Sequence, residues 1–273
     1  MNLPRVLLTG AAGRLGSVIR EDLSERWNIT PVSRSGRMKT AVFDLLSLKD
    51  MERLFDQDFD LIVNTAAITE PSECVLDPVK SWKLNTLWPR RLAIHCAAQS
   101  IPMIHFSTDL VYSGGIPPYT ESSPAVPSSL YGWTKLIADR FVLNRYQEAL
   151  IIRTSVLCGE VNSTRTTFSQ DILAGRVRNV YVDCWRNHTP IHGLAGILPD
   201  LLERSFSGIQ IVAGKYARSR SAYAEELLTN EGKDISDLIL TYAPPNTPSK
   251  LHLQVRSLFR QLVDQICLNM DNK

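Results

Sequence analysis

The sequence predicts an α/β protein built on a doubly wound parallel sheet. Short apolar runs typical of buried strands alternate with segments of helical periodicity from residue 5 to residue 155. The first of these runs stops at three glycines, a common way for a strand to pass into the first helix of such a sheet. A chain of 273 residues is long enough for one domain of this type and a smaller second part.

Composition excludes several classes of protein. Hydrophobic residues make up 44% and charged residues 21% of the chain, which is ordinary for a globular protein. Lys and Arg exceed Asp and Glu by only two, with the charges interspersed, so no nucleic-acid partner is expected. No long apolar stretch and no signal-peptide layout occur, which predicts a soluble, cytoplasmic protein without a membrane partner. The five cysteines are scattered without a Cys-x-x-Cys pair, so we expect reduced thiols and no metal site.

The first strand and its turn are predicted at the start of the chain. Arg5 to Thr9 is a short apolar run, and helical periodicity follows the turn. In a dinucleotide-binding turn, Gly10 makes the tight bend, Gly13 lets a pyrophosphate approach and Gly16 lets the helix pack closely on the strand. Free amides at the helix N-terminus then face the phosphates. This interpretation makes the domain a Rossmann fold, and a simple β-to-α turn is the alternative.

The end of the second strand bears on the choice of cofactor. The strand is predicted over residues 29–32 and is followed by Ser33-Arg34-Ser35-Gly36-Arg37. NAD-preferring sites place an Asp or Glu here to hold the ribose 2′-hydroxyl, whereas hydroxyls and guanidinium groups suit a 2′-phosphate. Ser33 and Arg34 therefore favour NADP over NAD, and a solvated basic loop is the alternative.

The next predicted elements are a strand at residues 41–44, a helix at residues 45–55 and a strand at residues 60–64. Ser47 is the predicted cap of the helix. Asp44 either accepts a hydrogen bond from an adenine amino group or is a helix-entry carboxylate, and both roles remain open. After the buried strand, the small residues Ala66 and Ala67 let the backbone approach a cofactor closely.

A long helix and a strand lead to the centre of the predicted site. Helical periodicity runs over residues 77–100, with Asn85 inside it as a polar residue that is either exposed or used. A strand over residues 101–106 then delivers Ser107-Thr108-Asp109 at its carboxyl end. Ligands of open parallel sheets bind beyond these ends. We therefore expect the glycine turn and Thr108 at the same edge of the sheet.

The last helix and strand of the first half complete the predicted site. A loop rich in Gly and Pro precedes a helix over residues 131–146 and a strand over residues 149–155. Tyr131 and Lys135 lie on one face of the helix, where Lys135 is expected to depress the pKa of the phenol. Such a phenol donates a proton to a carbonyl oxygen while a hydride reaches the carbon. A chance surface pair is the alternative.

Six motifs occur in order between about residues 3 and 160. They are Thr9-Gly-x-x-Gly-x-x-Gly16, Asn64-x-Ala-Ala67, Asn85, Ser107-Thr108-Asp109-x-Val-Tyr-x-Gly, Tyr131-Gly-x-Thr-Lys135 and Arg153-Thr-Ser155. Together they resemble those of the extended short-chain dehydrogenase/reductase superfamily. Within it the chain looks most like the dTDP-4-dehydrorhamnose reductase family of sugar-nucleotide-binding reductases.

The resemblance implies a site and a reaction. Thr108, Tyr131 and Lys135 match the catalytic triad, with Tyr131 as proton donor and Lys135 also holding the nicotinamide ribose, and Asp109 matches the acidic neighbour of the triad Thr. The implied cofactor-binding residues are Gly10, Gly13, Arg14, Leu15, Gly16, Ser33, Arg34, Asp44, Leu45, Ala66, Ala67, Asn85, Tyr131 and Lys135. The implied reaction is hydride transfer from NADPH to a keto group of a sugar or nucleotide-linked sugar. A homodimer is expected by analogy alone.

The resemblance also implies two parts of the chain. Residues 1–155 form the dinucleotide-binding domain, and residues 156–273 form a smaller substrate-binding portion interleaved with it. This second portion departs from the family, which usually has a Trp and a Tyr where Val156-Leu157-Cys158 precede Gly159. His188-Thr189 likewise stands where the family has Pro-Thr. The substrate is therefore left open.

Further elements are predicted in this portion: helices at 168–174, 194–206 and 222–229, strands at 180–182 and 209–213, and an amphipathic stretch over 251–267 packed on the domain. Arg218 and Arg220 either meet a diphosphate or are solvated loop arginines, and the second is favoured. Trp185 either stacks on a base or sugar or is a packed core aromatic, and the second is again favoured. His188 and His192 flank Pro190, which disfavours a helical metal pair.

Three functions follow from the sequence. The favoured one is an NADPH-dependent reductase of a sugar-derived ketone, because the triad is complete. The second is an NADP-binding regulatory or scaffold subunit without turnover, because the substrate half is altered. The third is a nucleotide-sugar epimerase or dehydratase with tightly held NAD, which Ser33-Arg34 disfavours.

Overall fold

The computed structural model describes residues 2–245, 247–256, 259 and 261–263. Its strands are β1 (Arg5–Thr9), β2 (Asn28–Ser33), β3 (Ala41–Val42), β4 (Leu61–Asn64), β5 (Met103–Thr108), β6 (Leu150–Thr154), β7 (Val156–Cys158), β8 (Asn179–Tyr181), β9 (Trp185–Pro190), β10 (Gly208–Ile211), β11 (Ala217–Ser219), β12 (Ile239–Thr241) and β13 (Lys250–Leu251). Seven of them form a parallel sheet in the order β10-β6-β5-β4-β1-β2-β3.

Helices cover both faces of this sheet. They are α1 (Arg14–Asp22), α2 (Leu48–Phe55), α3 (Pro71–Leu76), α4 (Pro78–Trp82), α5 (Trp88–Gln99), α6 (Leu130–Arg145), α7 (Phe168–Leu173), α8 (Ile191–Gly196), α9 (Leu198–Glu203) and α10 (Arg220–Asn230). Successive side chains of a strand point to opposite faces. Accordingly, Val6 and Leu8 of β1 pack with α1, α8 and α9, whereas Leu7 packs with α2 and α5. The predicted doubly wound α/β fold is confirmed.

Most predicted elements of the first half occur within a few residues of their expected bounds. Ser47 caps α2 as predicted, because its hydroxyl accepts a hydrogen bond from the backbone N–H of Asp50. The helix begins three residues later than expected, at Leu48. The Asp44 carboxylate causes this delay by accepting from the backbone N–H of Leu46, which holds residues 44–46 in a turn.

The long helix predicted over residues 77–100 is divided. A π-helical turn at Lys83–Leu87 separates α4 from α5. Pro89 has no N–H to donate to the carbonyl of Asn85, so the regular α-helical hydrogen bonding cannot continue through this point. Asn85 therefore lies in the widened turn, a feature frequent at functional sites.

The chain after residue 155 is only partly separate from the main sheet. A second sheet has the order β11-β9-β13, with β7 also paired to β9, and β8 pairs with β12. In contrast, β10 returns to the main sheet beside β6, and α8 packs on α1. The strand β9 was not predicted, because its buried centre is the polar run Arg186-Asn187-His188. The helix predicted over 194–206 is two helices, α8 and α9, and begins at residue 191.

The end of the chain packs on the domain as far as the structure describes it. Leu251, Leu253, Val255, Phe259 and Val263 belong to the core beneath α1 and α9. The remainder of the amphipathic stretch predicted over 251–267 lies outside the described residues. Among the described helices, none has the length and apolar character needed to cross a membrane.

Candidate functional site

The glycine turn lies at the carboxyl edge of the main sheet, between β1 and α1. Gly10 has a φ of 76°, and a Cβ there would lie 2.6 Å from the backbone nitrogen of Ala66. A Cβ on Gly16 would collide with the carbonyl oxygen of Gly10. A Cβ on Gly13 would meet only the Gly10 oxygen, at 3.2 Å, so the outer side of this residue is open. The tight bend at Gly10 and the close packing at Gly16 are as the sequence predicts, and the approach of a pyrophosphate at Gly13 stays a prediction.

The N-terminus of α1 is free to bind an anion. Gly13 is the N-cap, and no side chain of the described residues caps the helix, so its first amides keep their donor capacity. The Leu15 side chain belongs to the core, which leaves only its backbone at this edge. The Nε of Arg14 donates to the backbone oxygen of Thr166 at 2.5 Å. Thr164 also donates to Ala12, so residues 164–166 close one side of the turn.

Ser33 and Arg34 differ in their surroundings at the end of β2. The hydroxyls of Ser33 and Thr40 lie 2.6 Å apart and form a buried hydrogen bond. Arg34 is exposed, and no ion pair with it occurs in the part of the chain that the structure describes. The guanidinium group is therefore free to bind an anion, whereas Ser33 already has a partner.

Asp44 and Leu45 follow β3, and Ala66 and Ala67 follow β4. Asp44 is exposed and, as described above, holds the turn before α2. Leu45 is buried in the core between the sheet and α2. Ala66 lies against Gly10, and its backbone follows β4 directly.

The Asn85 side chain is buried, and both its amide oxygen and its amide nitrogen form hydrogen bonds. Its Oδ1 accepts from the backbone N–H of Ile68 at 2.8 Å, and its Nδ2 donates to the backbone oxygen of Ile68 at 2.9 Å and to the Thr134 hydroxyl at 3.1 Å. This decides the alternative left open by the sequence. Asn85 joins the segment after β4 to α6 rather than facing solvent.

Thr108 and Asp109 end the central strand β5. The Thr108 hydroxyl accepts from the backbone N–H of Leu110 at 3.2 Å and donates to Asp109 at 3.3 Å. Asp109 is buried and accepts from the Ser155 hydroxyl at 2.5 Å and from Arg186 at 2.7 Å. Arg186 lies on β9, so this ion pair connects the main sheet to the second portion of the chain.

Tyr131 lies beside Thr108 but does not have the expected pKa. Burial raises the pKa of the Tyr131 phenol, and a hydrogen bond with the Thr108 side chain opposes this only in part. The expected lowering by Lys135 is contradicted. The physical reason is the position of the Lys135 amine, which is turned toward β5 instead of toward the phenol.

Lys135 is almost completely buried, with 1% of its surface exposed. Its Nζ donates to the backbone oxygen of Phe106 at 2.7 Å and lies 3.2 Å from Nε2 of His105. Burial lowers the pKa of Lys135 to about 8, although the charge of Asp139 one turn along the helix acts in the opposite direction. Asp139 is itself paired with Arg153 at 3.1 Å.

His105 is a site residue that the sequence did not predict. It lies in the middle of β5 and is completely buried, between Lys135 on one side and Asn64 on the other. The available signal was a titratable residue within an otherwise apolar strand, two residues before Ser107. Its role depends on the partners that the sheet and α6 bring to it.

An Arg–aromatic cluster of Phe168, Tyr181, Arg186, His188, Arg218, Arg220 and Tyr223 lies next to Asp109. The rings of His188 and Tyr223 stack at a centroid distance of 3.9 Å. The guanidinium group of Arg220 lies over the Phe168 and Tyr181 rings, and that of Arg218 over Tyr223. The preference for solvated loop arginines is wrong, because both side chains are partly covered by these rings.

Several polar atoms in the Arg–aromatic cluster have no hydrogen-bond partner among the residues that the structure describes. They are both ring nitrogens of His188 and the Nε atoms of Arg186, Arg218 and Arg220. Burial, reinforced by the three arginines, lowers the pKa of His188 to about 3, so its ring is neutral. Buried polar atoms without partners are uncommon and mark places where a ligand or water is able to bind.

Trp185 differs from its expected role, whereas His192 has a partner on another helix. Trp185 begins β9 with 44% of its surface exposed, so the preference for a packed core aromatic is wrong. His192 lies on α8, where its Nδ1 contacts Asp22 of α1 at 2.8 Å, away from His188. Among the described residues, no group of three His, Cys, Asp or Glu side chains is placed to hold a metal ion.

The chain matches the family model of the RmlD substrate binding domain over residues 4–249. The protein belongs to this family. The resemblance to dTDP-4-dehydrorhamnose reductases within the extended short-chain dehydrogenase/reductase superfamily is thereby confirmed. Family membership places the glycine turn, Thr108 and Tyr131 within the matched region.

Two relatives of this RmlD-family chain are described differently, one as the subunit of an enzyme and the other as a probable reductase. It is 32% identical over 215 residues to the methionine adenosyltransferase 2 subunit beta of Rattus norvegicus, covering 75% of this chain and 64% of the relative. It therefore spans less than two thirds of that subunit. It is 29% identical over 242 residues to the probable low-salt glycan biosynthesis reductase Agl14 of Haloferax volcanii, covering 83% and 80% of the two chains.

A solved structure of a dTDP-4-dehydrorhamnose reductase shows the same fold. The dTDP-4-dehydrorhamnose reductase of Bacillus anthracis, solved in complex with NADP, superimposes with a TM-score of 0.83. The alignment covers 98% of this chain and 100% of that one, at 19% sequence identity. At this identity the likeness establishes the fold alone, and the reaction has to be inferred from the residues of the site.

Proposed function

We propose that this RmlD-family protein is an NADPH-dependent reductase that transfers a hydride to a keto group of a sugar or nucleotide-linked sugar. The observation that carries the proposal is that Thr108 and Tyr131 lie together at the carboxyl end of β5, two strands away from the glycine turn, while Asp109 pairs with Arg186 of the Arg–aromatic cluster. The glycine turn follows β1 and Arg34 follows β2, at the same edge of the main sheet as Thr108. A dinucleotide and an anionic substrate would thus meet at the Tyr131 phenol.

The residues present fit NADPH. The open side of Gly13 and the uncapped amides of α1 suit a pyrophosphate, and the exposed Arg34 guanidinium suits a ribose 2′-phosphate. Asp44 and Leu45 would lie near the adenosine, Ala66 and Ala67 along the cofactor, and Asn85 behind it. When bound, NADPH would supply the hydride.

Tyr131 would act as the general acid in this reaction. Burial keeps its phenol protonated, so it is able to donate its proton to the carbonyl oxygen as the hydride reaches the carbon. The Thr108 hydroxyl, beside the phenol, would share a hydrogen bond with the same oxygen. Lys135 would hold the nicotinamide ribose, and Asp109 would fix Thr108 and Arg186 in place.

The second portion of the chain would bind the substrate. Arg186 pairs with Asp109 and Arg218 with Glu226, whereas no described carboxylate pairs with Arg220. Burial lowers the pKa of Arg220, and the charge of Arg186 adds to this effect. A phosphate or diphosphate would relieve both the unpaired charge and the unpartnered Nε atoms. We accordingly assign residues 1–155 to the cofactor and 156–273 to the substrate, interleaved through β10.

Single-turnover kinetics test this proposal. Purified protein is titrated with NADPH and NADH, and oxidation is followed at 340 nm against nucleotide-linked and free 4-keto sugars. We expect tighter binding of NADPH and turnover with one substrate, abolished by Tyr131→Phe. Tyr146→Phe, at the far end of the same helix, is the matched control and should retain activity. Tight NADPH binding without turnover across the panel would contradict the reductase, and a preference for NAD would favour an epimerase or dehydratase.

A regulatory subunit is the second candidate function. The similarity to methionine adenosyltransferase 2 subunit beta favours it, since that relative is described as a subunit rather than a reductase. We would mix the protein with a methionine adenosyltransferase catalytic subunit and measure complex formation by size-exclusion chromatography. A complex that forms equally well with Tyr131→Phe would support this candidate, and its absence would oppose it.

A further inference from the structure

The order of strands in the main sheet reverses between β1 and β4. On one side of this point lie β1, β2 and β3, and on the other lie β4, β5, β6 and β10. In an open parallel sheet such a reversal leaves a crevice at the carboxyl ends of the two strands, and dinucleotides bind across it. The glycine turn follows β1 and Ala66 follows β4, so residues expected to bind the cofactor form both walls of this crevice.

A segment from the second portion of the chain contacts the first wall. We call residues 160–167, between β7 and α7, the strap. The backbone N–H and the hydroxyl of Thr164 both donate to the Ala12 oxygen, at 3.2 and 2.9 Å. Two residues later, a backbone oxygen of the strap accepts from Nε of Arg14 at 2.5 Å. Ala12 and Arg14 flank Gly13, so the strap runs past the residue where a pyrophosphate is expected.

Arg165 connects the strap to the opposite wall. Its Nη2 lies 2.6 Å from Oε1 of Glu73, and its Nη1 lies 3.7 Å from Oε1 of Glu70. Glu70 is the N-cap of α3 and Glu73 lies in its first turn, after β4. The same oxygen of Glu70 lies 3.9 Å from Nη1 of Arg14. These three ion pairs, which we call the clasp, therefore span the crevice from the glycine turn to α3.

Both ends of the strap are fixed. At the first end, the Glu160 oxygen lies 3.0 Å from Nε2 of His192 on α8. At the other end, Thr167 and Gln170 form the capping box of α7. Between these ends, residues 162–165 are largely exposed. The middle of the strap is therefore able to lift from the crevice while its ends stay in place.

The ion pairs of the clasp are weak enough to open. The side chains of its four members are between 30% and 45% exposed. Exposed pairs of this kind contribute little stability each and are weakened by salt. We propose that the strap covers the pyrophosphate of the bound cofactor and that opening of the clasp controls the entry and release of NADPH.

The role of the strap depends on the proposed function only through the cofactor. It extends the division of the chain, because a segment of the substrate-binding portion would also control the cofactor site. The pyrophosphate is common to both nicotinamide dinucleotides, so the strap should affect NADPH and NADH equally. In this respect it differs from Arg34, which would bind only the 2′-phosphate of NADPH.

Stopped-flow fluorescence of the purified protein measures nucleotide binding and release. We expect Arg165→Gln to raise the association and dissociation rate constants of both nucleotides by about 3- to 10-fold, because the clasp is lost in the free and in the bound protein. The dissociation constant should change by less than about twofold. Arg178→Gln, which breaks an exposed pair with Asp237, is the matched control and should change neither rate. Unchanged rates in Arg165→Gln would overturn the proposal.

A second variant, Glu73→Gln, distinguishes a clasp from a direct phosphate ligand. If Arg165 bound the pyrophosphate itself, removing its carboxylate partner would free the guanidinium group and slow nucleotide release. A clasp predicts the opposite, so Glu73→Gln should raise both rates. The double variant should be no faster than Arg165→Gln alone, because the two side chains act as one pair. Slower release in Glu73→Gln, or a further increase in the double variant, would overturn the proposal.

Salt gives an independent test of the clasp. Raising the ionic strength from about 0.05 to about 0.5 M screens exposed ion pairs, so the wild-type rates should approach those of Arg165→Gln. The ratio of the two proteins is measured at each salt concentration, which cancels the effect of salt on the nucleotide itself. A ratio that does not depend on salt would contradict an ionic clasp.

Hydrogen exchange of the Thr164 amide tests the strap without nucleotide. This amide donates to Ala12 in the closed strap, so it should exchange faster in Arg165→Gln than in the wild type or Arg178→Gln. Equal exchange in all three proteins would overturn the clasp. A wild-type protein that binds neither nucleotide would refute the proposed function together with the strap. Normal nucleotide binding with unchanged rates in the clasp variants would refute the strap alone.

Discussion

Among individual side chains, Arg34 has the clearest consequence for cofactor choice. It is an exposed guanidinium at the end of β2, whereas the neighbouring Ser33 hydroxyl is committed to Thr40. A charge-assisted hydrogen bond contributes about 1.5 to 3 kcal/mol. We therefore expect Arg34→Gln to weaken NADPH binding by about 10- to 100-fold while leaving NADH binding nearly unchanged.

Fluorescence titration with both nucleotides checks this expectation. Arg145→Gln, an exposed arginine at the far end of α6, is the matched control and should leave both affinities unchanged. Equal losses for NADPH and NADH would show that Arg34 does not read the 2′-phosphate. In that case the Ser33 hydroxyl would bind the 2′-phosphate only after its hydrogen bond with Thr40 is broken.

Between elements, the contact of His192 with Asp22 joins α8 to α1. A hydrogen bond from Asp22 raises the pKa of His192, with burial acting in the opposite direction. The folded protein therefore binds this proton more tightly than the unfolded chain. The resulting stabilisation is fully present below the unfolded pKa, about 6.5, and is lost as the pH rises through the folded pKa.

The difference between the wild type and Asp22→Asn isolates this effect. The lowered pKa values of His105 and His188 contribute to stability with the opposite sign, so the wild-type curve alone is not decisive. We expect the Asp22→Asn substitution to destabilise the protein more at about pH 5.5 than at about pH 8.5, measured by urea unfolding. A difference that is constant across this range would refute the linkage.

For the molecule as a whole, the ion pair of Asp109 with Arg186 joins the main sheet to the second sheet, which contains β9. Both side chains are buried, and Asp109 accepts from Arg186 at 2.7 Å. Removing one partner of a buried pair leaves the other charge uncompensated, at a cost of about 3 to 5 kcal/mol. We expect Arg186→Gln to lower the free energy of unfolding by about that amount.

Denaturant unfolding of Arg186→Gln, Asp109→Asn and the double variant measures the coupling. The double variant should be less destabilised than the sum of the single ones, because no unpaired charge remains. Arg5→Gln, which breaks an exposed pair with Asp60, is the control and should have a much smaller effect. Additive losses in the double variant would mean that the two side chains do not act as a pair.

The sequence by itself determined the doubly wound sheet, the glycine turn and the order of the site motifs. These depend on local patterns: strand and helix periodicity, glycines where the backbone must pass closely, and Ser47 as a cap. Thr108 and Tyr131 were also predictable, because strand ends of a parallel sheet meet at one edge. Their predicted neighbour Lys135 lies on the same helix as expected, but its amine contacts β5, and the pKa of Tyr131 is raised rather than lowered.

Only the tertiary structure decided the partners of the buried polar groups. His105, Asn64 and Trp88 are far apart along the chain, and their hydrogen bonds exist only because β4, β5 and α5 pack together. The ion pair of Arg186 with Asp109 was also not predictable, because the polar residues at the centre of β9 give no strand pattern in the sequence. Pairing of buried donors, acceptors and charges depends on geometry across elements, and this geometry sets the pKa values of Tyr131 and Lys135.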